Sequence, residues 1–336
     1  MQLTNVTVVI VTYKTAQLTI DGLHSIFAER KLGGLKIQAV VVDNASGDSP
    51  EIQAFVEKNN WQDWVFILTA PKNGGFAYGN NFAFKYALEK GPVDYFHLLN
   101  PDAQLHQGAL SELVNFLKLN PEVGIAGSRF TNEDGSLWPI AFRFPTILSE
   151  LESGIQFGLL TKLLKKWVVA VTMNQDKPSP VDWIAGASMM LSRNLVEKIR
   201  GFNEHYFLYY EETDLCLRAK KAGFETWYVP SSHVMHIAGQ STKVTERNAK
   251  PKRLPSYLYE SRRHYFINNH GIFYTLLTDL AVIFATTLGE LKRLLTNKHH
   301  LSTPFSLVDT VSHSALLPRN WDSPYFSSQL PEPDSF

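Results

Sequence analysis

The chain has 336 residues, 44% of them hydrophobic and 19% charged, an ordinary globular composition with room for one large domain or two modest ones. Lysine plus arginine equals aspartate plus glutamate at 32 each, so no overall basic field argues for a nucleic-acid partner. The single cysteine, Cys216, excludes an intrachain disulfide and a multi-cysteine zinc site.

The N-terminus shows no charged leader before an apolar core, so no signal peptide is expected and a cytoplasmic protein is the default. Residues 6–13 are rich in β-branched types and apolar on both faces, which suits a central parallel strand. A helix is expected over 16–30, broken by Gly33-Gly34, then a second strand over 36–43 that ends on a cluster of turn formers from Asp43 to Asp48. The pattern continues with a helix over 50–60, a strand over 64–69, a glycine-rich loop into a helix reaching residue 89, and a strand from residue 95 to Asn100-Pro101-Asp102. A helix over 107–119 and a strand over 124–130 complete an alternation that predicts an α/β protein with a doubly wound, mostly parallel sheet. Residues 131–180 are less regular. Further on come a strand over 181–191, a helix from the acids at 211–214 to residue 222, closed by Gly223, and a short strand over 226–229. The chain then reads as helical over 256–298, with a Ser/Pro-rich, loosely ordered tail.

Three strand ends bring polar groups toward one crevice, where open α/β sheets keep their ligands: Thr12-Tyr13, Asp43-Asn44 and Asn100-Pro101-Asp102. Pro101 ends its strand by removing a backbone donor and leaves the Asp102 carboxylate at the lip. That carboxylate suits Mg²⁺ or Mn²⁺ held against a diphosphate; the alternative is a turn in which Asp102 only caps the next element. Asp43 is placed to accept hydrogen bonds from a ribose or base, or to close an Asx turn. The loop from Lys72 to Asn81 lacks the Gly-Lys-Ser/Thr ending of a P-loop and a Gly-x-Gly-x-x-Gly, which disfavours a dinucleotide dehydrogenase. Its glycines either let backbone amides approach a ligand at a helix start or form a purely structural turn.

Glu211, Glu212 and Asp214 open a helix, where the helix dipole favours acids and where Asp214 can pair with Arg218 one turn on. The aromatic run 206–210 just before them points to the partial burial that lifts a carboxyl toward a useful base. His233 and His236 have weak zinc spacing, and one of them is able to complete the shell of an ion held by Asp102.

In chain order the motifs are Val-Ile-Val-Thr-Tyr13, Val-Val-Asp43-Asn-Ala-Ser, Asn73-Gly-Gly75-Phe-Ala-Tyr-Gly-Asn-Asn81, Leu-Leu-Asn100-Pro-Asp102, Gly186-Ala-Ser-Met-Met-Leu, Tyr-Glu211-Glu212-Thr-Asp214-Leu-Cys-Leu-Arg218, and His236-Ile-Ala-Gly-Gln-Ser241. Each is weak singly, and seven in the right order are strong. Together they resemble an inverting nucleotide-sugar glycosyltransferase of family two, in its rhamnosyltransferase-like branch. The resemblance covers residues 6–241 and implies a GT-A-type fold. It implies a nucleotide-sugar half over 1–127 and an acceptor-binding and catalytic half over 128–242; the sequence pattern beyond it adds a helical extension over 243–300 and a Ser/Pro-rich tail over 301–336.

By the same resemblance Thr12, Tyr13, Asp43, Asn73, Gly75, Asn81 and Asn100 hold the nucleotide, and Asp102 and His236 hold a divalent cation, Mg²⁺ or Mn²⁺. Glu212 stands at the position of the catalytic base with Glu211 beside it, and Trp183, Gly186, Ala187, Asp214 and Arg218 fall on the acceptor side. Trp183 suits core packing equally well. Asn100 replaces the first aspartate of the family's metal motif, and Glu212 replaces the commoner aspartate, which leaves open which glutamate faces the acceptor. The implied partners are a dTDP- or UDP-linked sugar donor and a glycan or glycolipid acceptor, with no nucleic acid.

Two stretches bear on a membrane. Residues 157–168 separate on a helical wheel into an apolar half and a half with Lys162, Lys165 and Lys166, which suits either an anionic membrane surface or packing on its own domain. Residues 271–289 are apolar but for Thr, Tyr and a central Asp279, and read as a packed or membrane-contacting helix rather than a span. A peripheral position on the inner face of the plasma membrane is therefore the expectation. The competing readings are a sugar nucleotidyltransferase, whose basic glycine-rich loop near the first strand is missing, and a non-catalytic nucleotide- or glycan-binding module. A glycosidase with paired carboxylates would not need the nucleotide crevice.

Overall fold

The computed structural model describes residues 3–132, 134–155, 162, 164–236, 252–296 and 303–321. Its first half alternates as the pattern dictates: β1 (Thr4–Thr12), α1 (Ala16–Lys31), β2 (Leu35–Asp43), α2 (Ser49–Lys58), β3 (Val65–Thr69), α3 (Gly75–Lys90) and β4 (Tyr95–Leu99). The four strands pair in parallel in the order β3-β2-β1-β4. On β1, Val6, Val8 and Ile10 enter one core cluster and Val9 the other, so helices cover both faces of the sheet. Full burial of such a side chain contributes about 1.5–3 kcal/mol. The strand order reverses between β1 and β4, which opens a crevice at their carboxyl ends.

The second half completes the same sheet. After β5 (Ala103–Leu105), α4 (Ala109–Leu119), β6 (Val123–Thr131), β7 (Leu137–Trp138), β8 (Ala141–Phe142) and α5 (Ile147–Ile155), the strand expected over 181–191 arrives in three pieces. These are β9 (Ser179–Val181), β10 (Trp183–Ile184) and β11 (Ser188–Ser192). β10 leaves to pair with β8, while β11 inserts antiparallel between β4 and β6. Helices α6 (Arg193–Ile199) and α7 (Glu211–Lys221) follow.

The last strand, β12 (Glu225–His236), runs far past the expected end at residue 229. Pro230 reads as a terminator, but the ladder with β6 absorbs it in a register shift between Val229 and His233. Within the bulge Ser232 donates to Ala109 O at 2.9 Å, which ties the strand to α4. The continued strand then sets His236 opposite Ala103 on β5.

The single helical reading of 256–298 resolves into α8 (Ser256–His270) and α9 (Ile272–Leu295), separated by Gly271 at φ +82°. A further helix, α10 (Ser306–Ser312), occupies part of the expected tail. Asp279, the central acid of α9, is fully buried. It accepts from Arg262 Nη1 at 2.6 Å and from the Ala315 amide at 2.7 Å, while Arg262 Nε reaches Glu150 at 2.5 Å. The carboxylate therefore serves an internal ion-pair network joining α5, α8 and α9. The amphipathic stretch 157–168, apart from Lys162 and residues 164–168, and the motif residues 237–241 lie outside the described residues.

Candidate active site

A cavity of about 530 Å³ opens at the carboxyl lip of β4. Asn100 and Asp102 enter it from that lip, Gly186 from the turn before β11, Glu211 and Glu212 from the start of α7, and His236 from the end of β12. The acidic helix start and Asp102 thus share one cavity.

Asp102 and His236 form its polar floor. Asp102 Oδ1 lies 3.3 Å from His236 Nε2, and both side chains are buried. Asp102 Oδ1 and His236 Nδ1 have no hydrogen-bond partner, although buried polar atoms ordinarily find one. A carboxylate beside an imidazole would suit Mn²⁺ or Mg²⁺, with Asp102 and His236 as the residues that would hold it. Among the described residues no cluster of three or more His, Cys, Asp or Glu is in place to hold a metal by itself.

The facing wall carries the glutamates. Glu212 is half-buried, and its Oε1 accepts from the Gly186 amide at 3.1 Å. A Cβ on Gly186 would stand 2.9 Å from that oxygen and 3.0 Å from Glu212 Cγ, so the glycine makes room for the carboxylate. Glu211 is buried, and its Oε2 has no partner. Burial raises both carboxyls above their ordinary range, and the neighbouring Glu212 charge raises Glu211 further. Two such groups side by side retain a shared proton more readily than isolated glutamates.

The backbone leading into α7 is strained. Tyr209 and Tyr210 are successive non-glycine residues at φ +68° and +67°, at a cost of about 1–3 kcal/mol each. Helix α8 holds this turn: Ser261 donates to Leu208 O at 3.0 Å, and the Tyr257 ring packs against Phe207 and Tyr209. On the other side the Phe76 amide donates to Phe207 O at 3.0 Å. Gly75, at φ +85°, permits this approach, because a Cβ there would lie 1.9 Å from Phe207 O. The glycine loop brings backbone against backbone and braces the turn that aims the glutamates.

The other expected nucleotide residues do not line this cavity: Thr12, Tyr13, Asp43 and Asn73 follow or end the neighbouring strands, and Gly75 and Asn81 belong to α3. Thr12 is buried and donates to Asp48 at 2.6 Å. Asp43 accepts from the amides and hydroxyls of Ser46 and Ser49, four hydrogen bonds that hold its carboxyl below the usual range against the opposing effect of burial. Asn73 Oδ1 accepts from Asn44 Nδ2 and the Gly75 amide, and Asn81 clips onto Phe202 and Glu204. The Tyr13 ring is 40% exposed, with Lys14 Nζ 5.4 Å from its centroid.

Of the residues expected on the acceptor side, Trp183 and Ala187 line the cavity with Gly186, the Trp183 ring stacking on Phe142 at 4.3 Å. Asp214 and Arg218 do not line it. Asp214 is fully buried and accepts from Arg218, Asn269 and Tyr206. Sequence reasoning missed Glu150 and Leu258, which also line the cavity, because both come from helices remote in sequence. The tyrosine doublet before the acids was the available signal for the strained turn. A separate cavity of about 390 Å³ near β9 has its Asp182 and Lys220 paired with each other.

A parallel nucleotide-type half that accepts an antiparallel strand from a second half, with an acid lip facing a helix-borne carboxylate, is GT-A architecture. The crystal structure of GalNAc-T7 with UDP, GalNAc and Mn²⁺ is similar in fold, at a TM-score of 0.56 and 15% identity, over 93% of this chain and 58% of that one. Residues 7–172 match the model of glycosyl transferase family 2, and residues 95–318 that of glycosyl transferase family group 2. The chain belongs to this family. It is 31% identical over 153 residues to an N-acetylglucosaminyl-diphospho-decaprenol L-rhamnosyltransferase of Mycobacterium tuberculosis, 44% of this chain and 48% of that protein. It is also 31% identical over 168 residues to the rhamnosyltransferase WbbL of Escherichia coli, 49% of this chain and 61% of that protein. The chain thus spans about half the length of the curated relatives it matches.

Proposed function

We propose that the protein is an inverting glycosyltransferase that moves rhamnose or a similar hexose from a nucleoside diphosphate to a saccharide acceptor carried on a lipid. The observation that carries this reading is one cavity holding Asp102 and His236 on its floor and the Gly186-anchored Glu212 on its wall. The rhamnosyltransferase relatives support the sugar, and the lipid diphosphate in one relative's name supports the acceptor class. The donor base is a pyrimidine, as dTDP or UDP, with Tyr13 offering its face and the Asp43 and Asn73 turns fixing the lip around it.

In this reading Glu212 removes the acceptor hydroxyl's proton as that oxygen attacks the anomeric carbon opposite the diphosphate. The bond to the diphosphate oxygen breaks, the nucleoside diphosphate departs, and the configuration inverts. Asp102 and His236 hold a divalent cation, which when bound stabilises charge on the leaving diphosphate. Glu211 lies beside Glu212 and has its own pKa raised by burial and by the Glu212 charge, and Trp183 with Ala187 forms the floor beneath the acceptor. The enzyme works in the cytoplasm, at the inner face of the plasma membrane where such acceptors reside. Titration calorimetry of dTDP, UDP and GDP with and without Mn²⁺ tests the reading: pyrimidine diphosphates should bind in a Mn²⁺-dependent way, and equal, metal-independent binding of all three would overturn it.

A further inference from the structure

Helix α9 presents two different sides. Its inward side packs Thr275, Thr278, Asp279, Ala285 and Gly289 against the rest of the protein. Its crossing with α5 is close, since a Cβ on Gly289 would lie 2.4 Å from Gly154 O. The outward side carries Phe273, Leu277, Leu280, Phe284, Leu291 and Leu294, each between 51% and 82% exposed. They recur at spacings of three, four and, past Phe284, seven along a helix about 36 Å long.

This periodicity admits two occupants, a second helix or a bilayer, and the flanking positions decide between them. A helix that pairs with another in water carries charge beside its apolar seam. Here the flanks are Leu276, Ala281, Ile283 and Leu288, and from Ile272 to Gly289 the sole charged residue is Asp279, which faces inward. Over that stretch the face is wide and free of charge, which suits hydrocarbon; Glu290, Lys292 and Arg293 flank only its last two turns, around Leu291 and Leu294. Exposed cations lie on the segment that follows α5, the helix packed on α9's inward side: Lys162, Lys165 and Lys166, with Trp167 beside them 38% exposed.

We infer that the outward face of α9 seats the protein on an anionic bilayer, with the helix axis in the membrane plane rather than across it. Asp279 holds Arg262, and Arg262 holds Glu150 on the cavity wall, so a single guanidinium joins the seated helix to the active cavity. This linkage brings the cavity to lipid-borne acceptors; that purpose rests on the proposed function, whereas the seat itself does not.

Flotation of the full chain with phosphatidylcholine vesicles, with and without phosphatidylglycerol, tests the seat. The wild-type chain should float with the anionic vesicles. Leu280→Glu combined with Phe284→Glu should lower the bound fraction roughly tenfold or more. Lys165→Gln with Lys166→Gln should lower the preference for anionic vesicles by about fivefold per lysine. Thermal melts, and a milder pair Leu280→Ser and Phe284→Ser, separate lost seating from lost folding. Wild-type protein that stays in the soluble fraction overturns the inference. So does a dimer in sedimentation that the glutamate pair converts to monomer without changing flotation, because the face then belongs to a second copy. Transfer to a short soluble acceptor should be unchanged in the glutamate pair; its absence in wild-type protein that still floats counts against the proposed reaction and leaves the seat standing.

Discussion

Replacing Glu212 by glutamine changes the chemistry of the wall and little else. The amide is isosteric with the carboxylate, and its carbonyl oxygen can still accept the Gly186 amide hydrogen bond, now 3.1 Å. What disappears is the ability to take a proton. General-base assistance contributes about 10²–10⁴-fold, so the barrier should rise by about 2.7–5.4 kcal/mol at 1.36 kcal/mol per tenfold. Transfer of labelled sugar under saturating donor and acceptor measures kcat, while calorimetry with Mn²⁺ follows nucleotide affinity, which should stay near the wild-type value. In the wild-type enzyme the base must be ionised. Because burial raises the Glu212 pKa above 4.5, the acid limb of kcat should lie above that value and be missing from the residual activity of the glutamine variant. Wild-type turnover in Glu212→Gln refutes the assignment, and if Glu211→Gln is then the inactive variant the role of base passes to its neighbour.

Glu211→Gln should stabilise the fold at neutral pH. The folded pKa is raised, so between 4.5 and that higher value the folded state binds more protons than the unfolded one, and stability falls as pH rises at up to about 1.4 kcal/mol per pH unit; urea unfolding across pH should show that slope reduced in the variant. Asp102→Ala or His236→Ala should weaken Mn²⁺-dependent diphosphate binding by at least the roughly 10–100-fold that even a supporting partner is worth at a metal site, with metal-free binding unchanged in calorimetry. Asp279→Ala removes one of the two carboxylates on buried Arg262, which keeps Glu150, and leaves the buried Ala315 amide without its acceptor, so it should cost about 1–3 kcal/mol in urea unfolding, beyond the effect of a surface acid. Gly75→Ala combines a positive φ with a Cβ driven into Phe207 O and should cost about 2–4 kcal/mol in the same assay.

The first half of the sheet is legible because its strands are buried on both faces, which leaves near-continuous β-branched runs with turn formers between them. Legibility fails where a distant partner overrides a local rule. Pro230 ends a strand on local grounds, yet a bulge stabilised by Ser232 and Ala109, 123 residues apart, carries β12 on to His236. Gly271 sits in an otherwise helical run, and sequence alone does not say whether the chain passes straight through it. Asp279 looks expensive in an apolar helix because its partner Arg262 lies in the preceding helix and Glu150 lies 112 residues from that arginine.

Residue type at a strand lip identifies a polar group without saying which donors it meets. Asp43 meets Ser46 and Ser49 a few residues on, and Asp214 meets Arg218, Tyr206 and Asn269, so both carboxylates are saturated within the protein. Asp102, His236 and Glu211 have the same kinds of groups but end with a buried atom that no protein donor or acceptor satisfies. Those three are among eight such residues in the described part of the chain, and all three line the one cavity that Glu212 enters. Leaving a buried polar atom unpaired costs about 1–3 kcal/mol, a standing penalty that a bound diphosphate, cation or acceptor hydroxyl can relieve. The acids that close turns and the acids left open in the cavity therefore differ in satisfaction rather than in type, and satisfaction is a property of the folded neighbourhood.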